Sequence, residues 1–227
     1  MFSQGCLRTA ARLLVPAVVL VFVATGVTSC KKRPRRRPLP PDAGLTGGTL
    51  VFEDDFSGGL EKFIVESDNW KIVDGALYTG DKPNENKGVW LKDTDLPADF
   101  RVEFTARSVK GNQKVFQGDM KCEFGGTKKV HADGYIIIFG GWKNTVNTIA
   151  KKDEHGKGRL VVDGKTKVKQ DNEYRFQVVR LGNEIKWFLD GKLLLSVRDN
   201  EVLKGGAFGF NNWNSRVYFD NLKVFAL

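Results

Sequence analysis

Hydrophobic and polar residues alternate most clearly in Phe100-Arg101-Val102-Glu103-Phe104-Thr105-Ala106-Arg107, which puts Arg101, Glu103, Thr105 and Arg107 on one face. A period of two predicts a half-buried strand. Similar runs at 70–73, 76–79, 117–124, 134–139, 159–162, 173–180, 184–190, 193–197 and 217–225 predict further strands. Asp74-Gly75, Asp163-Gly164 and Asp190-Gly191 separate several of them, and Asp-Gly between alternating segments predicts a tight hairpin turn. Pro83 and Pro97, the only prolines after Pro41, fit loops or strand ends. Many short strands with regular turns predict an all-β fold, a two-sheet antiparallel sandwich over residues 49–227.

The N-terminus follows a different pattern. Residues 13–27 form an uncharged, mostly apolar run of 15, preceded by Arg8 and Arg12. This predicts an export signal, because the run is short for a membrane-spanning helix. Val27-Thr28-Ser29-Cys30 resembles the lipobox of bacterial lipoproteins. That resemblance implies that residues 1–29 are a signal peptide and that Cys30 carries a lipid anchor. The six basic residues just after the run oppose export by the positive-inside rule, whereas a cleavable signal is read at its processing site. Residues 30–48 then read as a basic tether, with four of the chain's seven prolines between Pro34 and Pro41. The expected location is the cell envelope. Lys31 after the lipidated cysteine favours the outer membrane where the cell has one.

Charge changes the picture once it is located. The formal +9 of the whole chain falls to +2 for residues 43–227, so the folded part lacks the basic surface of a nucleic-acid binder. Cysteine usage is equally sparse. Cys6 and Cys30 precede the domain and leave Cys122 alone inside it, so no disulfide can form there. Cys122 alternates with Met120 and Phe124, which predicts a core position.

Four pieces of the domain together resemble the concanavalin A-like lectin/glucanase superfamily. They are Asp54-Asp55-Phe56, Trp70-x-x-x-Asp74-Gly75-x-Leu77, Asp99-Phe100-x-x-Glu103-Phe104 and Val217-Tyr218-Phe219-Asp220-Asn221-Leu222-Lys223-Val224. The pattern is most similar to bacterial 3-keto-disaccharide hydrolase and family-16-like domains. The resemblance implies a jelly roll and leaves activity open, because the superfamily holds enzymes, lectins and inert modules. It also implies that Asp220 helps hold a structural calcium, with Glu53, Asp54 or Asp55 supplying further oxygens. No other cofactor is called for.

Catalytic candidates are few. The glucanases of the superfamily carry two carboxylates on one strand around a third acid. Asp119-Met120-Lys121-Cys122-Glu123 is the nearest segment, and it has a lysine in the middle. At about 3.3 Å per residue, Asp119 and Glu123 would lie roughly 13 Å apart. Glycosidases need about 5–9.5 Å, so this strand reads as a salt-bridged polar face. Of the two histidines, His131 at a strand entry is a candidate base, and His155 reads as part of a solvated turn over 151–158.

A carbohydrate site has better material. Trp142, Lys143, Asn144 and Asn147 in one segment, and Asn212, Trp213, Asn214 and Arg216 in another, combine aromatic faces with amides and cations. Such groups stack on a sugar ring and meet its hydroxyls. Trp142, between a glycine and a lysine, is expected to be the more exposed of the pair, whereas Trp70, Trp90 and Trp187 read as core. Lacking a convergent acid–base set, the domain is expected to bind carbohydrate or another envelope component. A glycoside-cleaving activity is the alternative.

Overall fold

The computed structural model describes residues 42–109 and 117–227. The lipobox, Cys30 and most of the tether lie outside them. Among the described residues no helix is long and apolar enough to cross a membrane.

Among the described residues fifteen strands form two antiparallel sheets: β1 Thr49–Asp54, β2 Phe63–Val65, β3 Lys71–Val73, β4 Ala76–Thr79, β5 Val89–Leu91, β6 Phe100–Val109, β7 Met120–Phe124, β8 Tyr135–Gly140, β9 Val146–Lys151, β10 Arg159–Asp163, β11 Glu173–Leu181, β12 Glu184–Leu189, β13 Lys192–Arg198, β14 Phe208–Asn211 and β15 Arg216–Ala226. One sheet runs β13-β12-β11-β6-β15-β4-β3, with β1 also paired to β15, and the other runs β10-β9-β8-β7-β14-β5-β2. The chain is thus an all-β jelly-roll sandwich. Its core is aromatic. Phe210 of β14 stacks on Phe219 of β15 at 4.3 Å between ring centres. Phe139 of β8 meets Trp187 of β12 edge-on at 5.8 Å, so both contacts join the two sheets.

The Asp-Gly turns divide. Asp74 and Gly75 (φ 53° and 77°) and Asp190 and Gly191 (φ 51° and 75°) hold the paired positive φ of a tight hairpin. Asp163-Gly164 makes no hairpin, because β10 pairs only with β9 and the chain then crosses to the other sheet. The Asp163 carboxylate instead accepts the backbone N–H groups of Lys165 and Thr166.

Strand β8 explains where a site can sit. All six of its residues are buried, which a sheet open to solvent on one side would not allow. Ile136 and Ile138, with Ala150 of β9, form a second apolar cluster on the outer face, against Ala132 and Trp142. Loops therefore cover this outer face, and they bring polar residues over β7 and β8.

Candidate functional site

On β7, Met120, Cys122 and Phe124 enter the core as the alternation predicts. Burial pushes the Cys122 thiol far above its ordinary value, so it is inert as a nucleophile. Lys121 and Glu123 face outward, yet each is only 1% exposed beneath the loops. The Lys121 ammonium donates to Glu154 Oε2 at 2.8 Å and Asn86 Oδ1 at 2.8 Å, and lies 3.4 Å from Asp119 Oδ2. Burial opposes its charge, but Asp119 and Glu154 outweigh that and hold Lys121 above the usual lysine range. Burial also raises the Asp119 carboxyl, and Lys121 only partly counters it.

Glu123 belongs to a separate network. Its Oε1 meets His131 Nδ1 at 2.7 Å and accepts Asn211 Nδ2 at 2.9 Å, and its Oε2 accepts the Ala132 N–H at 2.9 Å. It orients the His131 ring and does not itself reach the open face. Asp119 and Glu123 therefore serve different partners. The carboxylate that Asp119 does meet is Glu154, since both lie on one ammonium and so within about 6 Å of each other. Lys121 stands between them, in the space a glycosidic oxygen would need.

The walls are two tryptophan loops. Trp142 and Lys143 lie in a left-handed turn, Gly141–Asn144, with φ/ψ of 49°/57° and 58°/46°. Such backbone costs roughly 1–2 kcal/mol per residue and persists only when its surroundings enforce it. The Asn144 amide provides that, donating to Val168 O and accepting from Val168 N, both at 2.8 Å. Thr145 adds its N–H to Gly141 O at 2.9 Å and its hydroxyl to Trp142 O at 2.7 Å. Over the indole of Trp142 lies the Arg159 guanidinium, 3.7 Å from the ring centre, and His155 meets it edge-on at 5.5 Å. Opposite, Trp213 bridges to Glu85, and its backbone N–H donates to the Asp119 carboxylate. A cleft of about 340 Å³ lies over this floor, lined by both tryptophans, Asn86, His131, Lys143 and Lys152 among others.

The structure thus brings Trp142, Trp213, Lys143, His131 and Asp119 to one cleft. Several expected ligand residues are spent elsewhere. Asn144 clamps Val168. Asn147 is buried, accepting from Gly140 N and donating to Asp163 and Thr166 O. Asn212 is also buried, accepting from the Asn84 amide and donating to Ser215 O. Asn214 gives its N–H to Asn84 O, and Arg216 reaches Gly80 O; neither lines the cleft. These amides shape the loops because short polar side chains satisfy the backbone of tight turns more readily than they reach outward. The exposure of the tryptophans is also the reverse of expectation. Trp213 is 42% exposed, whereas Trp142 is half-buried under Arg159 and against the outer apolar cluster. The 151–158 turn is likewise more than a solvated loop, because Glu154 is buried on Lys121.

The calcium donors do not form a cage. Asp55 Oδ1 accepts the Ser57 N–H and hydroxyl, and Asp54 Oδ2 pairs with the Lys62 ammonium at 2.7 Å. Asp220 accepts the Asn221 N–H at 2.6 Å. Among the described residues no three His, Cys, Asp or Glu side chains converge, and Lys62 supplies the positive charge at the first strand. These residues do not fit a calcium ion.

Comparison with known proteins agrees with the sandwich. The levanase of Bacillus subtilis is 22% identical over 172 residues, 72% of this chain, and the match spans only 24% of that enzyme. The carbohydrate-binding module CBM66 from Bacillus subtilis superposes with a TM-score of 0.61 at 18% identity, covering 74% of this chain and 97% of the module. The laminarinase catalytic domain of Thermotoga maritima superposes with a TM-score of 0.58 at 13% identity, covering 80% and 99%. These likenesses show a shared lectin-like jelly-roll fold. Residues 92–222, more than half of the chain, match the model described as a domain of unknown function, DUF6250, and the chain belongs to that family.

Proposed function

We propose that the domain is a carbohydrate-binding module whose ligand enters the cleft between Trp213 and Trp142. The observation that carries this reading is Trp213. It is a large aromatic left 42% exposed beside a floor of buried charged groups, in a sandwich otherwise efficient at burying aromatics. An indole face stacks on the apolar face of a sugar ring, while Asn86, His131 and Lys143 offer polar partners at the rim. The similarity to a levanase and to a carbohydrate-binding module supports the same reading. A glycan array followed by titration of wild type and Trp213→Ala tests it. The substitution should abolish or sharply weaken every hit.

Hydrolysis is the second reading, and the observation in its favour is the cleft histidine oriented by buried Glu123. It lacks an unobstructed acid, because Lys121 bridges Asp119 and Glu154. Reducing-sugar release from an array hit would establish turnover. The resemblance of residues 27–30 to a lipobox completes the proposal: the module is held at the cell envelope through a lipid on Cys30, with the outer membrane favoured by Lys31.

A further inference from the structure

We propose that the glycan is acidic, its carboxylate or sulfate group seated on Lys152 of the cleft lining and on Arg159, which lies over the Trp142 wall; this rests on the carbohydrate reading above. The acidic groups in and under the cleft already have partners. Asp119 and Glu154 share Lys121, and Glu123 holds His131 and two N–H donors. Asp153, an acid of the cleft lining, accepts the His155 N–H at 2.8 Å and faces its ring at 3.3 Å. The two cations are placed differently. Among the described residues no carboxylate lies within ion-pair distance of Arg159 or Lys152, and Asp153 feels the Arg159 charge only from farther off.

Arg159 is held in one orientation. Its guanidinium carbon lies over Trp142, 3.7 Å from the ring centre, and its Nε donates to Glu154 O at 2.8 Å. Those two contacts tether the fork while using one of five donors, and a pre-organised fork matches the two oxygens of a carboxylate or sulfate. Lys152 lines the cleft in a left-handed conformation, φ 58°, with its N–H on Gly134 O at 2.8 Å. A tethered guanidinium and an exposed ammonium beside an aromatic wall favour a sugar that brings its own negative charge.

The full-length chain, probed on a surface carrying uronate-containing, sulfated and neutral glycans, separates the outcomes. Binding should concentrate on acidic glycans and weaken with added salt. Lys152→Gln and Arg159→Gln should each lower affinity for those glycans at least tenfold. Lys152 is exposed, so its variant should melt with wild type and keeps the test valid if loss of Arg159 disturbs Trp142. The uronate and sulfate arms identify which anion the fork accepts. Hits confined to neutral glycans would overturn the acidic class and leave the carbohydrate reading standing. Acidic hits indifferent to both substitutions would overturn the assignment to Arg159 and Lys152. A surface with no hits would overturn both readings.

Discussion

Trp213 and Trp142 differ in what surrounds them, and that difference sets what each truncation should do. Trp213→Ala removes an exposed ring and seals no cavity, so it should change stability by less than about 1 kcal/mol. It should weaken glycan binding by about 1–3 kcal/mol, the usual loss of an aromatic anchor. Trp142→Ala removes packing against Ile136, Ile138 and Ala150 as well as the surface under Arg159. Its cost should be roughly 2–4 kcal/mol, near the lower range of core truncations. Thermal melts of the two variants check this, and equal losses would contradict it. The sequence places both tryptophans among polar residues and so identifies them as candidates. It misassigns their exposure because what covers Trp142 is Arg159, 17 positions away. Glu154 was illegible for the same reason: its partner Lys121 is 33 residues distant, and no local spacing marks the pair.

At the scale of elements, the left-handed turn 141–144 depends on the loop after β10. Asp163 accepts from Asn147 Nδ2 at 2.9 Å, and Asn147 in turn accepts from Gly140 N at 2.9 Å, just ahead of the turn. Burial works against the Asp163 charge, but N–H groups of Thr166, Asn147 and Lys165 bring its pKa down to about 2 from 3.8. A carboxyl depressed on folding contributes stability that is complete above its unfolded value and fades as pH falls through the folded one. Asp163→Asn should therefore be less stable than wild type above about pH 4, and the gap should narrow towards pH 2. Urea midpoints across that range measure it, and a constant gap would contradict the assignment. The strands themselves were mostly legible. The alternation marks β6, β11, β12 and β15 to within two residues at either end. It passes over β1, β2, β5, β9 and β14. In β9 the polar Asn147 and Thr148 imitate a loop, yet both are buried with their side chains bonded to neighbouring backbone. Strands β2 and β5 have three residues each, too few to display a period.

For the whole molecule, fold and location come from different parts of the chain. The sandwich accounts for residues from Thr49 onward, and its near-neutral charge suits a carbohydrate partner better than a nucleic acid. The proposed envelope location rests on residues 1–30. Cys30→Ala should abolish incorporation of labelled palmitate, and unchanged labelling would remove the lipoprotein proposal. The central claim concerns the cleft, and indole N–H signals test it most directly. All five tryptophans report at once while an array-selected glycan is added to the protein: Trp213 and Trp142 on the cleft, Trp70, Trp90 and Trp187 in the core. The carbohydrate reading predicts saturable shifts of Trp213 and Trp142, with the three core indoles unmoved. Binding that leaves Trp213 and Trp142 unshifted would place the ligand elsewhere and contradict it.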